Sequence, residues 1–181
     1  MTFYSCYAII VSQSRKEVET MVASYNLDII HDPLNLQEKR NIRNTCKFDY
    51  NCAGYAFRTF SWYRIGTNDD ENEEIMGYAS KGDYETALAL SIDSILNELT
   101  GWEEVPIELI QQREFSPLTH EIVLMRFCEF DYHFLRLGRN WNWYDKMGHS
   151  SYINRRSFNN GFDKIWNGRY DSPIIAFVRT L

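Results

Sequence analysis

The stretch "HEIVLMRFCEF-DYHFLRL-GRN-WNWYDKM", residues 120–147, most constrains the fold. It holds three short runs rich in apolar, β-branched and aromatic residues, which is the composition of strands. The first two are nearly continuous, and "GRN" turns the second back into the third. "SYINRRSFNNGFDKIWNGRY" (151–170) is polar with turn signals, and "SPIIAFVRTL" (172–181) closes the chain as an apolar strand. Upstream, the spacing in "DYETALALSIDSILNELTGW" predicts a helix. Ala87, Leu88, Leu90, Ile92, Ile95, Leu96 and Leu99 lie mostly on one face, and Gly101 stands as its C-terminal cap. "CAGYAFRTFSWYRI" (52–65) is expected to be a second, largely buried helix. Helices followed by an antiparallel sheet make an α+β fold.

The first residues are less decisive. "FYSCYAIIV" (3–11) fits a strand or a buried helix start. From Ser14 an amphipathic helix is expected, with Glu17 completing a capping box, and Pro33 breaks the chain beyond it. "GTNDDENEE" (66–74) is expected to be a solvated acidic loop; its spacing is not that of a calcium loop. No repeat or linker divides the 181 residues, so one domain is expected. Residues 1–45 would form an N-terminal extension, 46–101 a helical half and 102–181 an antiparallel sheet half.

The net charge of −6 gives no overall attraction to nucleic acid or anionic lipid. Arg136, Arg139, Arg155 and Arg156 could still form a local basic strip. No run approaches the ~20 apolar residues of a membrane span. The N-terminus lacks the basic and apolar regions of a secretory signal. The expectation is a soluble, reduced, cytoplasmic chain without a membrane partner, with export by another route left open. The cysteines at 6, 46, 52 and 128 form no CxxC pair and no zinc spacing, so neither metal nor cofactor is expected.

Cys52 opens a predicted helix, where unpaired backbone N–H groups favour a thiolate. Its own N–H would point at a developing oxyanion, with Asn51 as a second donor. Ala53 and Gly54 leave room for a substrate carbonyl, and Tyr55 follows as a flanking binding position. A buried, inert thiol is the plainer alternative on local context. Of the four histidines, His133 alone lies inside an aromatic strand. Alternation puts Asp131, His133 and Leu135 on one strand face and Tyr132, Phe134 and Arg136 on the other. Asp145 would return beside His133 on the next strand and accept the imidazole Nδ1–H, with Asp131 as a rival. The aromatic run "WNWY" (141–144) is expected to pack the sheet.

These residues resemble the papain-like cysteine hydrolases of the NlpC and CHAP types. "NCAGY" (51–55) looks like their nucleophile motif. "NCAGYA" (51–56), "DYHFLR" (131–136) and "WYDKMG" (143–148) are closer still to poorly characterised bacterial and viral proteins of the same suspected fold. Those proteins carry histidine where Asp145 stands, and the gap from Cys52 to His133 is longer than in compact NlpC-type domains. The resemblance implies a Cys52–His133–Asp145 triad forming an acyl-enzyme on an amide or peptide bond, in a peptide or protein substrate. Transglutaminase-like transfer and deamidation would use the same residues. A non-enzymatic interaction or inhibitor protein on the same fold is the alternative class, and cell-wall hydrolysis a weaker one.

Overall fold

The computed structural model describes residues 50–148, 153–156 and 162–181, apart from Phe60 and Asn167. The expected N-terminal elements, Cys6, Cys46, His31 and His149 lie outside the described residues. The described chain is α+β. Three helices come first: α1 (Cys52–Ala56), α2 (Asp69–Ala79) and α3 (Tyr84–Glu98). They are followed by β1 (Glu103–Val105), α4 (Ile107–Gln111), β2 (His120–Cys128), β3 (Asp131–Leu137), β4 (Trp143–Lys146), β5 (Ile153–Arg156) and β6 (Ile175–Thr180). The six strands form one sheet in the order β1-β6-β2-β3-β4-β5, and every neighbouring pair is antiparallel.

β2 reads as a nearly unbroken apolar run because both of its faces are covered. Val123, Met125 and Phe127 join Phe134 and Phe177 in a core shared with α1, α2 and α3. Ile122 and Leu124 join Leu135, Trp143 and Val178 on the opposite face, together with Ile110 of α4 and Ile165 and Trp166. Phe57, just past α1, meets Trp102, Phe134 and Phe177 edge-on with ring centroids 4.9–5.8 Å apart. That aromatic nest seats the end of α1 against the sheet.

Several expectations change. The helix over 52–65 stops at Ala56, and Arg58 adopts a positive φ of 56°, which ends the turn. The acidic stretch is not a loop but the start of α2. The Asn68 side chain accepts from the Glu71 N–H, while Glu71 accepts from the Thr67 N–H and hydroxyl. Asp69, Asp70 and Glu71 occupy the first turn, where negative charge is favourable. α3 ends at Leu99 as its cap, with Gly101 two residues beyond at φ 80°. Trp143 and Tyr144 are buried in the sheet, as expected of "WNWY".

The basic strip is interrupted, since Arg139 and Arg155 are exposed but Arg136 is not. Arg136 is buried and donates to the carbonyl of Ala56, the last residue of α1, and to Glu121. Glu121 also receives Arg58 and Arg179. Burial alone would raise its carboxyl pKa, but the three guanidinium groups outweigh that and hold it low. The buried cluster thus ties the rear of α1 to β2, β3 and β6.

Candidate active site

Asn51 builds the entrance to α1. Its Oδ1 accepts from the Gly54 N–H at 2.9 Å, the bond of an N-terminal cap, and from the Tyr63 N–H at 3.3 Å. Its Nδ2 donates to the Tyr63 carbonyl at 2.6 Å. The carbonyl oxygen and one Nδ2 hydrogen are committed to the cap and to the strap at Tyr63, so Asn51 is a scaffold residue; its second Nδ2 hydrogen is what an oxyanion role would use. Cys52 then stands at the first helical position, with its N–H and that of Ala53 lacking an intrahelical carbonyl.

Gly54 and Tyr55 pack within the chain and do not line the cleft that holds Cys52. A Cβ at Gly54 would overlap the carbonyl oxygen of Ser61 and crowd Tyr50, so the glycine admits this chain's own backbone. Tyr55 is buried at 1% exposure and stacks on Tyr50 with centroids 6.4 Å apart. Gly54→Ala is expected to lower stability by about 3 kcal/mol, because the Ser61 segment cannot back away without unseating Tyr63. A urea midpoint equal to that of the unaltered protein would contradict this packing.

His133 and Asp145 extend from the same sheet face. The β3–β4 register pairs Arg136 with Tyr144 and Leu137 with Trp143, so alternation carries His133 and Asp145 to one side as diagonal neighbours. The His133 Nε2 lies 2.8 Å from Asp145 Oδ2. This corrects the expected Nδ1: the carboxylate only accepts, so Nε2 carries the donated proton and Nδ1 is the nitrogen left for the thiol. Cys52 is the second polar neighbour of His133, near enough for the thiol to help hold the imidazolium. Tyr170 stacks on the imidazole at 5.3 Å and Trp166 meets it edge-on at 6.4 Å, which fixes the ring plane. The rival Asp131 instead accepts from the Tyr170 hydroxyl and the Tyr132 N–H.

The sequence reading missed Arg156. Its Nε and Nη2 reach the two oxygens of Asp145 at 2.9 and 3.0 Å, a bidentate pair. Asp145 is fully buried, and burial would raise its pKa. The bonds from His133 and Arg156 outweigh burial and keep it low, hence ionised. For His133, burial disfavours the imidazolium. The bond to Asp145 and the neighbouring Cys52, with the charge on each, outweigh burial and lift the pKa to about 9.

That direction fixes a pH dependence. A histidine raised above its unfolded value stabilises the fold fully below the unfolded pKa of 6.5, and the contribution is lost as pH rises through about 9. Between pH 6 and 10 the fold should lose on the order of 3 kcal/mol from this group. The loss should vanish from the urea-unfolding profile of His133→Asn. An unchanged alkaline slope in that variant would count against the assignment.

Comparison with known families, curated proteins and solved structures finds no match to this chain. The site therefore stands on its own geometry. An open cleft of about 320 Å³ exposes it, lined by Asn51, Cys52, Tyr132 and His133 at its base and by Trp62, Met76, Phe130 and Met147 among its walls. Cys52 is a free thiol, 7% exposed and opening into this cleft, whereas the free thiol of Cys128 lies against the opposite core. Tyr132 and Asn72 fix one wall, the first accepting from the Ile65 N–H and the second donating to the Ile65 carbonyl. Among the described residues, no helix is long and apolar enough to cross a membrane, and no group of three His, Cys, Asp or Glu could hold a metal ion.

Proposed function

We propose that this chain is a papain-like cysteine hydrolase that cleaves an amide or peptide bond through an acyl-enzyme. The observation that carries the reading is one imidazole that is bonded to a buried carboxylate and shares its cleft with a neighbouring free thiol. Asp145 holds the Nε2–H tautomer and stabilises the imidazolium, so the Cys52 proton can reside on Nδ1. The thiolate attacks the carbonyl carbon, and the carbonyl π electrons move to oxygen. The N–H groups of Cys52 and Ala53, which have no intrahelical acceptor in the first turn of α1, would receive that oxyanion. The intermediate collapses, the C–N bond breaks, and the His133 Nδ1–H gives its proton to the departing amine. A water deprotonated by His133 then attacks the thioester, releasing the acid and restoring the thiol.

The test is a burst experiment with the p-nitrophenyl ester of an N-acetyl amino acid. About one equivalent of nitrophenolate per chain should appear rapidly, with an acyl adduct on the Cys52 peptide by mass spectrometry. Cys52→Ala should give no burst, and His133→Ala should slow it by about 100-fold. An adduct spread evenly over the thiols, or no adduct at all, would refute the proposal.

A further inference from the structure

We propose that the cleft selects polypeptide substrates carrying a bulky apolar side chain beside the attacked carbonyl; this rests on the hydrolase reading above. The argument starts from what the cleft does not offer. Each polar side chain of its walls already holds at least one bond within the chain. Asn51 holds Gly54 and Tyr63, Asn72 holds the Ile65 carbonyl, and Tyr132 holds the Ile65 N–H. Arg64 pairs with Asp69, and Asp131 takes the Tyr170 hydroxyl. Beside the Cys52–His133 pair, with Arg64 and Asp131 at exposed positions, the cleft offers an apolar set: Trp62, Met76, Phe130 and Met147, from four separate segments.

Two of these are where the fold alone would not place them. Phe130 is 83% exposed in the two-residue connection between Cys128 and Asp131, a position that favours small polar turn residues. Trp62 is 39% exposed on the same cleft. Among the described residues, Phe130 and Trp62 are two of the four exposed large apolar residues, and both border the site; Leu118 and Leu181 stand singly elsewhere. Scattered apolar residues are ordinary, but a converging set around a nucleophile marks a binding wall. Two flexible thioethers beside two rings would adapt to either an aromatic or a branched aliphatic side chain.

The experiment compares two blocked diazomethyl ketones, phenylalanyl and glycyl, which share one warhead and alkylate a thiol with loss of N₂. Rates are read by mass spectrometry on the full chain. Both should label Cys52 ahead of Cys128, the phenylalanyl reagent about tenfold faster or more. Phe130→Ser should bring the ratio toward one, and Leu118→Ser, away from the cleft, should leave it unchanged. Selective Cys52 labelling with a ratio near one would overturn the side-chain preference and spare the hydrolase reading. Failure of either reagent to favour Cys52 would overturn both.

Discussion

With a small alkylating agent at neutral pH, Cys52 should react at least 100-fold faster in the unaltered protein than in His133→Ala. The magnitude follows from the environment of the sulfur. Cys52 sits in an apolar core, and burial without a cationic partner holds a thiol protonated and inert. The imidazolium of His133 supplies that partner, and the helix-start N–H groups add to it. The turn is only five residues long, so the local N–H groups matter here and a long helix dipole does not. Removing the ring takes away both the proton acceptor and the positive charge, and either loss alone is worth about 10²-fold. Cys128, with no such partner among the described residues, should react slowly in both proteins. Similar rates at Cys52 and Cys128 would mean that the pair does not activate the thiol.

Asp145→Ala should have the largest effect on stability and a second, separable effect on chemistry. Two cationic groups converge on this carboxylate, the Arg156 fork and the His133 Nε2–H. Deleting it leaves the guanidinium, mostly buried, without its counterion, at a cost of about 3–5 kcal/mol. The double substitution Asp145→Ala/Arg156→Met removes the stranded charge and should recover most of that stability. It should not recover the rate of Cys52 alkylation, because the imidazolium still lacks the acceptor that holds its tautomer and charge. Recovery of both would show that Asp145 acts only through folding; recovery of neither would show that Arg156 is not the group it strands.

Much of this site was legible in the chain order. Cys52 after Asn51, His133 within an aromatic strand and Asp145 beyond a turn are placed by patterns that strands and caps obey locally. The ring nitrogen was not legible. Which side of the imidazole meets the carboxylate depends on the direction from which α1 approaches the sheet, and that is a tertiary fact. Arg156 was hidden in a polar stretch, although β5 pairs Asn154 with Asp145, and the next residue on the same strand face is Arg156. Gly54 and Tyr55 were read as open to substrate because proximity to a nucleophile in sequence suggests proximity in space. On one turn of helix they point instead toward Ser61 and Tyr50. α2 is hard to read from the sequence because its charge run has the composition of a solvated loop, although Asn68 and Glu71 cap it. β1 and α4 were missed because each is too short to carry a period. The α+β layering was readable, since β2 and α3 each carry strong patterns.

The most direct test of the Cys52–His133–Asp145 arrangement is the protonation of His133 itself, followed by the ¹⁵N shifts of its ring as pH is raised. The ring should stay an imidazolium through neutral pH and titrate near 9, with Nε2 keeping its proton above that point. In Cys52→Ala or Asp145→Asn the midpoint should fall as one of its two supports is removed. A ring that titrates near the ordinary histidine value of 6.5 in all three proteins would contradict the account.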